Sequence, residues 1–373
     1  MLIKTTFLFL LIYLFFIPIG PLPIEIIRGL NIDVLSGIVL LVLMLYYGKN
    51  INQYSVNFIL LTAFFVFSTL VSVLLSGDIA HSLNNWLITM GYLYLTFTIS
   101  IIHSRRIVFL QNFILLVAFL ASVYILYDYF SAEQIQIARY SLTQSVELLE
   151  YQSRLDPNTT AIGLMFAVLL SMRNKLLYYR LPVFIVVISA VMILQSRTAL
   201  LSFILAVILT QFYFSLKYKE YKKILPLLLS IFITILTIYF IFPDIVQIYL
   251  IRATSEANYY DRFELFNNSL AIFSSDIKSI LFGAGYMMTN PHNEILRILS
   301  GSGLLGLLSY IFFLVYLLSL ILKIRNKDMK FTSLFIFLYM FIAIQTYGHT
   351  KFMYVSYMFI LLFYIQDKNN KII

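Results

Sequence analysis

Long apolar runs, broken by brief polar punctuation, fill this chain of 373 residues. The runs lack the period-two alternation of half-buried strands, and several reach the roughly 18 residues at which an apolar helix crosses a bilayer. A transmembrane barrel would instead show short alternating segments. The pattern predicts twelve helical spans, over 5–19, 32–47, 56–75, 86–102, 107–130, 159–172, 181–195, 199–214, 224–242, 295–322, 331–347 and 352–365. The expected fold class is an all-α polytopic membrane protein, with 1–373 as a single integral membrane domain. The first run ends in IPIGPLP rather than in the small residues of a cleavage site, so it reads as a retained helix. Two polar stretches, 131–158 and 243–291, stand out as loops. Between spans nine and ten, Tyr259, Phe263, Phe266, Leu270 and Phe273 recur at helical spacing. This predicts an amphipathic helix along the outer surface, its apolar face against the membrane domain.

Composition sharpens the picture. Hydrophobic residues make up 61% and charged residues 12%, against roughly 25% charged in a soluble domain. The absence of cysteine excludes disulfides, thiolate metal sites and a thiol nucleophile. The net charge of +9 is not a nucleic-acid footprint, because it is distributed by topology. With both termini cytoplasmic, 17 of the 26 basic residues fall on the inner side, accompanied by only Glu220, Asp328 and Asp367. That is the bias that orients membrane proteins. Both long loops then face outward. The outer basic residues are mostly arginine: Arg28, Arg139, Arg154, Arg197, Arg252, Arg262 and Arg297. Arginine's planar fork grips phosphate oxygens in pairs, which lysine does not do.

The chemistry concentrates in LFGAGYMMTNPHNEILRILSGSGLLGLLSY, residues 281–310. Gly283, Gly285, Asn290 and Pro291 make a turn-rich approach. His292 and Asn293 then stand at the mouth of an apolar helix, with Arg297 four residues beyond Asn293 on the same face. A histidine here is either an interfacial polar residue or a proton acceptor at the water boundary. Gly301, Gly303 and Gly306 read as small residues for close helix packing. Arg197, in the minimal turn SRT between two apolar runs, either snorkels to the headgroups or faces a cavity. Arg262 either pairs with Asp261 on a simple lid or meets a ligand. In YQSRLDPNTTA, Asp156 caps the following helix or pairs with Arg154, and Pro157 is a helix-start residue. The glycine loop of nucleotide-binding enzymes, HExxH, GxSxG and DxD are all missing.

The region 281–310 resembles the signature of the O-antigen ligase / O-antigen polymerase superfamily, bacterial membrane glycosyltransferases that act on undecaprenyl-diphosphate-linked glycans. FGAGY followed by PHNEILRILSGSGLLG is similar to its histidine–asparagine helix with trailing glycines. QSRTALLSF is similar to its arginine-bearing turn, YDRFELFNNSLAIF to its periplasmic arginine helix, and RLDPNTTAIGL to the segment entering its middle span. The likeness covers roughly 150–320, and the first 130 residues match in hydropathy alone. It implies a GT-C-like fold, a bacterial inner-membrane location and an active site facing outward. His292 would be catalytic, Arg197 and Arg262 would bind the donor diphosphate, and Arg154, Asn293 and Arg297 would be candidates for further substrate contacts. It implies no metal and no cofactor.

The expected function is polymerisation of surface polysaccharide: a glycan leaves undecaprenyl diphosphate for a sugar hydroxyl of a lipid-linked repeat unit. A ligase acting on lipid A–core and a lipid-linked oligosaccharide flippase or transporter are the alternatives. The partners expected are the lipid-linked oligosaccharide, the bilayer, and, as candidate proteins, a chain-length regulator and a flippase, with no nucleic acid.

Overall fold

The computed structural model describes residues 25–27, 30–31, 56–102, 106–131, 157–171, 177–194, 196–219, 256–287, 289, 291–345 and 350–369, with scattered positions from 6 to 14. These are overwhelmingly helical. The exception is a small antiparallel pairing of β1 (Glu25–Ile27) with β2 (Leu30–Asn31), in which Glu25 faces Asn31. Among the described residues, three helices are long and apolar enough to cross a membrane: Ile107–Tyr127, Arg197–Tyr218 and Glu294–Lys323. Others are apolar but shorter, such as Asn158–Ser171. The spans expected over 32–47 and 224–242 lie outside the described residues, as do most of 5–19 and nearly all of the 131–158 loop, Arg154 included.

The chain divides into two compact units. One unit holds 1–40, 106–254 and 326–339; the other holds 41–105, 255–325 and 340–373.

In the second unit, α1 (Val56–Leu74) and α2 (Ile79–Ile102) form a hairpin. The polar turn expected over 76–85 is shorter than its composition suggests. Asp78 Oδ1 accepts from His81 N at 3.0 Å, which caps α2 and lets it begin at Ile79.

In the first unit, α3 (Ile107–Ser131) packs on α4 (Pro157–Ser171) and α5 (Leu177–Ile193). Helix α4 is buried from Thr159 to Ser171 and is the core of this unit. It opens on Pro157, whose missing N–H costs nothing at a first helical position. Gln111 on α3 donates to the Leu170 carbonyl. Helix α6 (Arg197–Tyr218) starts at Ser196, whose hydroxyl accepts from Ala199 N.

The rest of the second unit begins with α7 (Glu256–Phe273) and a single turn and a half, α8 (Ile277–Phe282). Then comes the long α9 (Glu294–Lys323), which packs on α1, α7 and α8. After a three-residue break the chain resumes as α10 (Lys327–Ile344), whose residues up to Tyr339 belong to the first unit. Asn326 Oδ1 accepts from Asp328 N and Met329 N at its start, so the helix begins four residues before the span expected over 331–347. Helix α11 (Thr350–Asn369), in the second unit, packs on α2 and α9.

Helix α7 confirms the expected helix but not its packing. Phe263, Phe266 and Leu270 are exposed, and Ser269 is its buried residue. Phe273, at its end, is half-buried, and the helix packs against α9.

Candidate functional site

The site grows out of a break in α9. Gly303 has φ 65° and ψ −167° inside an otherwise helical run. That geometry takes the Ser300 and Gly301 carbonyls away from their own helix. Their bonds are replaced from the preceding loop: Ala284 N donates to Ser300 O and Gly285 N to Gly301 O, both at 3.0 Å. Ser72 on α1 also donates to Gly301 O. Irregular backbone inside an apolar helix survives where protein groups take over the freed carbonyls, and that condition is met here.

The close approach dictates glycine on both sides. A Cβ on Gly283 (φ 78°) would sit 2.2 Å from the Gly301 carbonyl carbon, and one on Gly303 would sit 2.4 Å from that of Leu281. The expectation that Gly303 serves only close packing is therefore corrected: it breaks the helix. At Gly306 a Cβ would collide with Ser302 of the same helix, one turn back across the break, so glycine there goes with the break rather than with a neighbouring helix.

This clasp presents the loop that carries His292. Tyr286 is buried, its carbonyl accepting from Ser82 Oγ at 3.4 Å. Burial pushes its phenol well above the usual tyrosine range, with hydrogen bonds to Thr89 and Tyr354 offsetting part of the effect. Thr289 and Ser300 share a hydroxyl–hydroxyl bond. Two non-glycine residues of the loop, Met287 (φ 55°) and His292 (φ 53°), occupy the left-handed region. Such conformations cost about 1–3 kcal/mol each, persist where the surroundings over-determine them, and cluster at functional sites.

Asn293 fixes the start of α9. It is the N-cap, its Oδ1 accepting from Leu296 N at 3.0 Å, and its Nδ2 donates to the Gln345 carbonyl at 3.1 Å. Gln345 replies through its side chain, Oε1 accepting from Ile295 N at 3.3 Å. Its Nε2 finds no acceptor among the described residues. Asn293 is thus tied at both ends of its amide, next to His292 at the helix mouth.

Arg297 is buried and bonded to Glu294, itself buried in the first turn of α9. The acidic residue sits where the helix dipole favours it. Around them lie Tyr286, Tyr310, Tyr354 and Tyr357, all buried, with Tyr92 stacked on Tyr354. Arg297 therefore meets a protein carboxylate.

Of the remaining candidates, Arg262 is exposed on α7, which packs against α9. Arg197 is half-buried and is the first residue of α6, in the first unit. A cation at a helix N-terminus works against the dipole, so helix stability does not explain it. His292 is half-buried. Among the described residues, no three His, Asp or Glu side chains gather as metal ligands do.

Sequence reasoning missed Glu294, Tyr286 and Gln345. The i,i+3 spacing of Glu294 and Arg297 in an apolar setting was a readable signal. Gln345, some fifty residues along, gave none. No family model matches the chain, and no curated protein is significantly similar to it.

Proposed function

We propose that this chain is a membrane glycosyltransferase that polymerises surface polysaccharide, moving a glycan from undecaprenyl diphosphate to a hydroxyl of a lipid-linked repeat unit. One observation supports this reading most directly. A histidine in a strained left-handed conformation stands, half-buried, at the mouth of an apolar helix, fixed by the Asn293 cap after it and the glycine clasp before it. An imidazole held in one place at the mouth of an apolar helix is the equipment a general base needs.

In this reading His292 takes the proton of the acceptor hydroxyl as that oxygen bonds to the anomeric carbon. The bond from that carbon to the diphosphate oxygen breaks, the anomeric configuration inverts, and the lipid diphosphate leaves with its electron pair. Arg197 and Arg262 answer the growing negative charge. At the N-terminus of α6, Arg197 adds a guanidinium to the positive end of a helix dipole, and both favour phosphate.

The test uses membranes containing the full chain and a lipid-linked repeat unit. His292→Ala and Arg197→Ala should each abolish polymer while membrane insertion is kept. Wild-type polymer lengths in both variants would end this proposal.

A second reading has one observation of its own. Transporters bind substrate at discontinuous helices, and α9 is broken at Gly303. Loss of the gene distinguishes the readings. A lost polymerase leaves single repeat units on the outer surface, a lost flippase leaves no surface sugar, and a lost ligase accumulates long lipid-linked chains.

A further inference from the structure

We propose that Gln345 is the positioning residue of the His292 site: through Asn293 and Ile295 it sets where the imidazole stands for proton transfer. This inference rests on the function proposed above and adds to it a residue that acts through others rather than on the substrate.

Gln345 follows α10 directly and, like α9, lies in the second unit. Its place is fixed from its own side, since its N–H donates to the Ile342 carbonyl at 3.2 Å. From there it makes two bonds to the opening of α9. Its carbonyl accepts from Asn293 Nδ2 at 3.1 Å, and its Oε1 accepts from Ile295 N at 3.3 Å. A helix start leaves its first N–H groups without partners inside the helix. Here they are divided: Asn293 Oδ1 takes Leu296 N, and Gln345 takes Ile295 N. The end of one helix also presents negative partial charge where the start of the other presents positive, which favours the contact further.

The Asn293 side chain is enough to cap α9, and water serves a second N–H at many helix ends. The bonds from Gln345 add something a cap does not: they tie the first turn of α9 to another helix. His292 is joined to Asn293 by one peptide bond and is itself held at φ 53°. A swing of Asn293 therefore carries the imidazole with it, and Gln345 prevents that swing.

Stability alone does not account for the amide. Gln345 Nε2 is buried with no acceptor among the described residues, and a buried donor without a partner is destabilising. A methionine of similar length would spare the fold that orphan donor. What it lacks is Oε1, the atom that holds Ile295. The residue fits a task of placement.

The full-length protein in membranes is treated with diethyl pyrocarbonate, and carbethoxylation of His292 is followed by mass spectrometry, with the exposed His81 as internal reference. Gln345→Met removes Oε1 and keeps the length of the side chain. It should label His292 severalfold faster than wild type and leave His81 unchanged. Gln345→Glu keeps an acceptor oxygen for Ile295 N and should return the labelling to the wild-type rate. Polymerisation of a lipid-linked repeat unit is measured on the same membranes. Since a misplacement of about 1 Å costs about a hundredfold in rate, kcat in Gln345→Met should fall by about ten- to a hundredfold while KM stays near that of wild type. Gln345→Glu should recover most of that loss. A residue that only held two helices together would lower the melting temperature, raise labelling at His292 and His81 in step, and leave no split between kcat and KM. That result overturns the proposal, as does wild-type labelling of His292 in Gln345→Met, or faster labelling with an unchanged kcat. The labelling arm needs no reaction, so it separates the two readings. If Gln345→Met exposes His292 as expected and the wild-type chain makes no polymer, Gln345 still places His292, and the polymerase reading alone fails.

Discussion

At His292 the backbone decides the expected behaviour of substitutions. A left-handed conformation costs an ordinary residue about 1–2 kcal/mol, and glycine nothing. His292→Gly should therefore melt above His292→Ala, since both lose the side chain's contacts but only glycine relieves the strain, and under the proposed function it should make no polymer. His292→Ala should lose both the polymer and the side chain's contacts without relief of strain. A Gly variant less stable than the Ala variant in a thermal-shift assay would show that strain is not stored there. The Glu294–Arg297 pair obeys a different rule. Removing one partner of a buried ion pair leaves an uncompensated charge, at about 3–5 kcal/mol, whereas replacing both with apolar residues is often neutral. Arg297→Met alone should unfold far more readily than Glu294→Leu/Arg297→Met, as read by denaturation in detergent. Additive losses would contradict this.

At the level of elements, α9 is the one whose geometry departs furthest from its composition. Gly303→Ala meets both a positive φ and the Leu281 backbone, and we expect a loss of about 2–4 kcal/mol, since strain and overpacking add. Gly91→Ala, where a Cβ would meet open space, is the control and should change stability little. Helix α8 gives a pH prediction. The Ser279 N–H bonded to Asp276 holds its carboxyl below the usual carboxylate range. A depressed folded pKa means that the cap's contribution is present above the unfolded value, near about 4, and is lost as pH falls through the folded one. Hydrogen exchange at Ser279 should quicken only in that acid window, and Asp276→Asn should flatten the response. Helix α7 shows the limit of an amphipathic pattern. The spacing of Phe263, Phe266 and Leu270 made the helix legible, but periodicity names a face without naming what covers it.

For the whole molecule, the lack of cysteine makes topology directly measurable. Single cysteines at Lys219 and Leu265, both exposed, should label from opposite sides of intact cells: Lys219→Cys only after permeabilisation, Leu265→Cys from outside. Labelling of both from one side would refute the expected orientation. The helices themselves were legible because an apolar segment in a bilayer must satisfy its backbone internally, whatever its neighbours do. Composition alone therefore determined that the chain is helical and apolar enough for a membrane, and roughly where most of its described helices run. It also marked the stretch around His292, since glycine, proline and polar residues rarely interrupt such runs without cause. Tertiary structure alone decided the rest. The break at Gly303, the left-handed turn at His292, the two bonds by which Gln345 holds Asn293 and Ile295, and the tyrosine-lined pair of Glu294 and Arg297 all depend on which distant atoms arrive to accept or donate a hydrogen bond. Local sequence sets what each residue can offer; only packing supplies the partner.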